Sequence, residues 1–231
     1  MAESTVSLEW CSSRDVAYGA GSFVAKRFVV RGEHVDRVWL HFQNSDKEHW
    51  HDIELARTTG LPDGSRLFEL ATEQGRLPDD MHFAVRAEGP RHAVWDNNSG
   101  ENYRLGMNDG PLLCVPIVLG KLGYSRGRVF GMAYVQNYTS KKEVRVYYSL
   151  DHCRSFRRID ATFVRTLRLG PDNVLPMPNR HGCEAWEFSI PVDSAALGRQ
   201  AVLYLQYACD GKTHYDLNHH RLYHVAPISP G

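Results

Sequence analysis

Short runs in which apolar and polar residues alternate with a period of two dominate this chain, and no long stretch of helical periodicity competes with them. Val38-Trp39-Leu40-His41-Phe42, Leu67-Phe68-Glu69-Leu70, Met81-His82-Phe83-Ala84-Val85-Arg86 and Val144-Arg145-Val146-Tyr147-Tyr148 carry the pattern of half-buried strands, which turn successive side chains to opposite faces. Phe28 to Val30, Tyr124 to Tyr138, Phe163 to Leu169, Ala185 to Ile190 and Val202 to Tyr207 also read as strands. Clusters of Gly, Pro, Asn and Asp, such as Gly60 to Ser65 and Pro78-Asp79-Asp80, punctuate them as turns. This grammar predicts an all-β protein built of sandwiches.

At 231 residues the chain exceeds one typical domain and suits two of about 100 to 150. Gly106 to Pro116 interrupts the strand pattern, so a first module is expected over residues 1–110 and a second over 111–231. Hydrophobic content of 42% suffices for packed cores. Lys plus Arg and Asp plus Glu number 27 each, which cancels the net charge. The main reason to expect nucleic acid or an anionic membrane as partner goes with it, and a neutral ligand fits better. No window approaches the roughly 18 to 20 apolar residues of a membrane span, which argues against membrane insertion. Met1 to Thr5 lacks the basic and apolar regions of a secretory signal. The five cysteines (Cys11, Cys114, Cys153, Cys183 and Cys209) are odd in number and lack CxxC spacing, which fits reduced thiols in the cytoplasm better than a disulfide framework or a zinc knuckle.

The chain repeats itself. Adding 106 to Val38, Leu40, Phe42, Trp50 and Ile53 gives Val144, Val146, Tyr148, Phe156 and Ile159, apolar or aromatic every time. Adding 120 to Trp95, Asp96, Asn98 and Tyr103 gives Tyr215, Asp216, Asn218 and Tyr223. The halves therefore read as diverged copies of one module. The offset grows by 14 between these anchors, and the insertion falls most simply in Leu169 to Gly182, with its three Pro and two Gly.

Val94 to Tyr103 packs two aromatics, three asparagines and a turn-forming Gly100 into ten residues. Asp and Asn bond to their own backbone, so Asp96 to Glu101 is expected as an exposed connection between strands, flanked by Trp95 and Tyr103. Amides beside a flat ring suit a sugar, whose pyranose ring has an apolar face and a polar rim. Phe83-Ala84-Val85-Arg86, followed by Trp95-Asp96-Asn97-Asn98 and then Asn102-Tyr103-Arg104, resembles the closing signature of carbohydrate-binding module family 21, the glycogen- and starch-binding modules of fungal glucoamylases and of glycogen-targeting subunits of protein phosphatase 1. Val144 to Phe156 resembles an earlier strand and loop of the same family.

The resemblance implies two tandem immunoglobulin-like β-sandwich modules that bind carbohydrate without cleaving it. It assigns sugar contacts to Trp95, Asn97, Asn98 and Asn102, with Asp96 shaping the turn and Tyr103 adding an aromatic surface. The family's loop tryptophan falls on Lys47 in the first copy and Cys153 in the second; Trp50 either substitutes for it or fills the core position held by Phe156. In the second copy, Tyr215, Asn218, His219 and Tyr223 are the candidates, and the amide set is thinner.

His49 and His51, and the group His214, His219, His220 and His224, lack a third metal ligand at usual spacing, so no metal is expected. There is no GxSxG, HExxH or phosphate-cradling Gly loop, so neither an enzyme nor a cofactor site is expected. The leading expectation is a non-catalytic, lectin-like protein that binds an oligosaccharide, polysaccharide or glycan, mainly through the first module. One ring and a few amides reach only about micromolar to millimolar affinity, and two modules raise it by avidity. Two other readings stand: a scaffold bringing protein phosphatase 1 to glycogen, and a protein-binding sandwich pair without sugar. Open sheet edges also favour association into a homo-oligomer.

Overall fold

The computed structural model describes residues 3–18, 21–43, 49–72, 77–106, 110–167, 182–192 and 200–225. Lys47 and most of the expected insertion, residues 169–181, lie outside the described residues. The chain forms two compact units, the first running to Cys114 and the second beginning at Val115. Almost every regular element is a strand; among the described residues the helical content is one 3-10 turn, Asn98–Gly100, and no helix is long and apolar enough to cross a membrane.

The first unit contains β1 (Thr5–Tyr18), β2 (Gly21–Glu33), β3 (Val38–Gln43), β4 (Trp50–Glu54), β5 (Ala56–Gly60), β6 (Arg66–Ala71), β7 (Met81–Glu88), β8 (Ala93–Asp96), β9 (Tyr103–Leu105) and β10 (Leu112–Leu113). The second contains β11 (Ile117–Ser125), β12 (Arg128–Gln136), β13 (Lys142–Ser149), β14 (Arg157–Asp160), β15 (Thr162–Leu167), β16 (Cys183–Pro191), β17 (Ala201–Cys209), β18 (Lys212–Asp216) and β19 (Tyr223–Val225). One sheet of the first unit runs β10-β1-β2-β6-β5 and the other β4-β3-β7-β8, with β9 also on β7. The second unit has β11-β12-β16-β15 and β14-β13-β17-β18, with β19 also on β17. Apart from β10, strand numbers differ by ten throughout, so both units are antiparallel sandwiches of one topology.

Strand alternation builds each core. Val38, Leu40 and Phe42 of β3 turn inward, as do Val144, Val146 and Tyr148 of β13. Phe28 meets Phe83 edge to face at 5.3 Å in the first core, and Phe188, Ile190, Leu203, Leu205 and Tyr207 fill the second. Tyr124 to Tyr138 is not one strand: Arg126 and Gly127, with φ of 48° and 70°, turn β11 back along β12. Two consecutive residues at positive φ suit the right-handed twist of a tight hairpin, and Asp210-Gly211 closes β17–β18 in the same way. The long strand β1 escapes the alternation rule because its register shifts between Leu8 and Trp10, a bulge that changes which residues face inward.

At Gly131 of β12 a Cβ would sit 2.3 Å from the Phe188 ring and 2.7 Å from the Lys121 carbonyl oxygen. Gly131→Val is therefore expected to destabilise the protein by about 1–3 kcal/mol or more through overpacking, read as a shift in the denaturant midpoint.

Candidate functional site

The strand β8 alternates, so Val94 packs toward the core, Trp95 points out and Asp96 points back in. Asp96 Oδ2 accepts the Leu8 amide at 2.7 Å, and Oδ1 accepts the Tyr103 hydroxyl at 2.8 Å and the Asn98 amide at 3.4 Å. Asn97 Oδ1 accepts the Gly100 amide at 3.0 Å, and Asn98 Nδ2 donates to the Asn102 carbonyl at 3.0 Å. Asn98, Ser99, Gly100 and Asn102 all take positive φ, which short amide side chains and glycine tolerate.

These bonds redistribute the roles expected from the resemblance. Trp95 is exposed, at 47%. The Asn97 and Asn98 side chains are engaged by the turn's own backbone. Tyr103 does not add an aromatic surface: it is 5% exposed and stacks on Phe83 at 5.2 Å. Burial foremost, then the neighbouring Cys114 thiol and Asp96 carboxylate, hold its phenol far above the usual range, so it stays a donor. Burial and the Asp96 charge push the Cys114 thiol up to about 12.

The second unit closes in the same way. Asp216 accepts from the Leu119 amide at 2.8 Å, the Tyr223 hydroxyl at 2.7 Å and the Asn218 amide at 3.0 Å. Asn218 Nδ2 donates to the Leu222 carbonyl at 2.8 Å. Burial raises the Asp216 carboxyl above its ordinary value, against these hydrogen bonds. Asn218 and Tyr223 are thus part of the turn, His219 sits half-buried at a positive φ of 55°, and Tyr215 stands 54% exposed.

Exposed rings gather on one outer sheet face of each unit. In the first, His41 stacks on Trp50 at 4.6 Å and 5°, and Trp95 meets the same imidazole edge-on at 5.2 Å. Asp52 holds His41 Nδ1 at 2.6 Å. His41 therefore joins the two tryptophans singled out in the sequence. Trp50 does not fill a core position, and neither does Phe156: both are 39% exposed. In the second unit, Tyr147 stacks on Tyr204 at 5.0 Å and 4°, with Phe156 at 5.6 Å and Tyr215 at 6.4 Å from the Tyr204 ring. Gln206 Nε2 donates to the Tyr215 hydroxyl at 3.0 Å, and its Oε1 accepts from Tyr147 at 3.4 Å. His41, Tyr147, Tyr204 and Gln206 were not singled out in the sequence, although each is the outward residue between two inward ones.

A cleft of about 660 Å³ also opens in the second unit. Tyr138, Phe163 and Trp186 line it, with Phe163 edge-on to Trp186 at 5.7 Å. At its base Lys142 Nζ lies 2.7 Å from Glu184, whose other oxygen accepts Trp186 Nε1 at 3.0 Å. Among the described residues, no group of three or more His, Cys, Asp or Glu is placed to hold a metal ion. Neither segment nearest to a basic-Val-x-Phe docking sequence matches it: Gly127 to Phe130 lacks the spacer, and Lys26 to Val29 has Phe and Val in the wrong order. Phe28, Val29 and Val129 are buried within strands β2 and β12.

Each unit is thus an antiparallel β-sandwich that carries a group of stacked and edge-on rings on the outer face of one sheet. Residues 115–226 match the model of the carbohydrate/starch-binding module (family 21), and the match supports carbohydrate binding. The chain is similar to the carbohydrate-binding module of the muscle glycogen-targeting subunit of Protein Phosphatase-1, at 18% identity and a TM-score of 0.38 over 50% of this chain and 78% of that one. The starch-binding domain of Rhizopus oryzae glucoamylase, solved with beta-cyclodextrin and maltoheptaose, is 25% identical with a TM-score of 0.34, over 50% and 94% of the two chains. Purple acid phosphatase PPD1 from yellow lupin (Lupinus luteus) seeds is 10% identical with a TM-score of 0.33, over 95% of this chain and 40% of that one. No curated protein matches the sequence.

Asp96→Ala removes bonds to a charged acceptor worth about 1.5–3 kcal/mol each, so a loss of about 3 kcal/mol is expected in denaturant unfolding, against less than about 1 kcal/mol for exposed Trp95→Ala. A pH effect follows from Asp151, which orders the turn before Phe156. Its carboxylate accepts the Ser155 hydroxyl at 2.6 Å, the Ser149 hydroxyl at 2.7 Å and the Ser155 amide at 3.0 Å. The Ser155 hydroxyl, then that of Ser149, hold the carboxyl well below its ordinary 3.8. The unfolded chain binds this proton more readily, so the contribution is full above 3.8 and is lost as pH falls through the lowered value. The Cys153 and Ser155 amides are expected to lose hydrogen-exchange protection on acidification to about pH 2 but not near neutrality.

Proposed function

We propose that this is a non-catalytic carbohydrate-binding protein that holds α-glucan on the ring-bearing outer faces of both units. The single observation that carries the reading is the group of partly exposed rings, stacked as His41 on Trp50 and Tyr147 on Tyr204, on the sheet whose last turn bears the family's closing signature. The family match over residues 115–226 supports it for the second unit. For the first, support comes from the shared strand order and the equivalent Asp96-centred and Asp216-centred turns, which read as those of a diverged tandem copy.

We assign the stronger platform to the first unit, where Trp50 and Trp95 offer two exposed indoles against His41. Half-buried Asn102 lies at its margin, while Asp96, Asn97, Asn98 and Tyr103 act by holding the turn. Tyr215, with Tyr204 and Phe156, is the counterpart in the second unit, and the cleft lined by Tyr138 and Phe163 offers a further place for a sugar ring. Each ring contributes on the order of 1 kcal/mol beyond area burial, so single platforms bind weakly and two on one chain gain from a repeating polymer. Burial of the two docking-like segments disfavours the phosphatase scaffold.

Isothermal titration with glycogen and malto-oligosaccharides tests this. Wild type is expected to bind in about the micromolar to millimolar range. The double variant Trp50→Ala, Trp95→Ala is expected to weaken glycogen binding about tenfold or more while keeping its thermal transition. No binding to glycogen, starch oligomers or any arrayed glycan would end the reading, and a protein-only sandwich would show that outcome.

A further inference from the structure

We infer that the second unit prefers α-glucan carrying phosphate monoesters, held by Arg154 and Arg158 at the edge of its ring-bearing face; this rests on the sugar-binding reading above. Arg158 of edge strand β14 lies directly opposite Tyr147, which lies opposite Tyr204. Directly opposed residues share a sheet face, so one row runs from a guanidinium to two stacked phenols across about 10 Å, two strand spacings. Arg154 belongs to the turn that Asp151 orders just before Phe156, whose ring lies 5.6 Å from that of Tyr204. Arg157 is opposite inward-facing Tyr148 and so belongs to the other face of the strand.

The first unit has the opposite charge at this place. There Asp52 lies opposite His41 and is hydrogen-bonded to it. Arg37 is engaged by Glu54, Arg86 by Asp52 and Glu88, and Arg27 by Glu69. In the second unit Arg145 is likewise engaged, by Glu143, Asp160 and Gln206. The side chains of Arg154, Arg157 and Arg158 are exposed, and none forms an ion pair or hydrogen bond with a described residue.

Two uncommitted guanidinium groups, one at the end of a sugar-sized row of rings and one in the turn leading to Phe156, fit an anion carried by the sugar. The planar guanidinium fork matches phosphate oxygens two at a time. The chain's net charge is zero, so attraction does not extend far beyond a Debye length of about 8 Å. The anion must therefore arrive on a ligand already seated on the rings. A nucleic acid or an anionic membrane would call for a broad basic surface, whereas Glu143 and Asp160 stand beside this patch.

Affinity electrophoresis of the full chain through gels of phosphorylated amylopectin, the same polymer dephosphorylated, and dextran sulfate tests the inference. The phosphorylated polymer is expected to bind about three- to tenfold tighter at low salt, with the difference gone at about 0.5 M salt. The double variant Arg154→Gln, Arg158→Gln is expected to lose that difference, keep its affinity for the dephosphorylated polymer and melt as wild type does, whereas Arg157→Gln is expected to keep the difference. Equal affinity for the two amylopectins, a preference that survives in the double variant, or retardation by dextran sulfate as strong as by phosphorylated amylopectin overturns the phosphate preference alone. Absence of binding to either amylopectin overturns the sugar-binding reading with it.

Discussion

The carboxylates of Asp96 and Asp216 sit at the same place in two sandwiches and do the same work. Each comes from the strand before the closing turn and reaches the other sheet, where it accepts the amide of Leu8 or Leu119. In both strands the register shifts immediately after that residue, at Leu8/Trp10 and Leu119/Lys121. A bulge interrupts the regular hydrogen-bond ladder, and the carboxylate supplies an acceptor there. Hydrogen bonds to a charged acceptor contribute more than neutral ones, and loss of the acceptor would leave buried donors unmet. The raised Asp216 carboxyl shows that burying the charge offsets part of this gain.

Much of the ring-bearing surface follows from that constraint. With Asp96 directed inward on β8, alternation sends Trp95 outward; the same geometry on β18 sends out Tyr215. The tyrosines and first asparagines that follow are then drawn into the turn, Tyr103 and Tyr223 as donors to the carboxylate and Asn98 and Asn218 as donors to the backbone. What remains for a ligand is the ring on the strand and its neighbours across the sheet. Those neighbours differ. Where the second unit places Tyr204 under Tyr215, the first has Ala84 opposite His41, and that small side chain lets the Trp95 indole reach the imidazole. The first face is therefore built on two indoles and an acid-held histidine, and the second on four smaller rings with arginines at its edge.

The fold class was largely legible in the residues. Val38, Leu40 and Phe42, and their counterparts Val144, Val146 and Tyr148, alternate strictly and point inward, and the shared offsets correspond to strands of one topology. The first strand was not legible, because a bulge breaks the pattern that marks a strand. Nor were the roles within the closing signature. An asparagine in a turn can bond to its own backbone or to a ligand, and both uses favour the same residue types. Tyr103 likewise looks alike as a surface ring or as a buried donor. Trp50 and Phe156 resembled core residues by repeat position, yet Trp50 opens edge strand β4 and Phe156 immediately precedes edge strand β14, where one flank has no neighbour to cover them.

By itself the sequence determined that the chain forms strands, that matching residues recur at fixed offsets, and that aromatic and amide residues gather at Trp95 to Tyr103. Those features depend on local backbone preference and on periodicity, which act over a few residues. Only the tertiary structure decided which aromatics meet across strands, which carboxylate is buried, and which arginines stay uncommitted. His41 and Trp95, or Tyr147 and Tyr204, are separated by more than fifty residues in the chain. They come together only because strand pairing sets the register, and a shift of one residue would turn every one of those side chains to the opposite face.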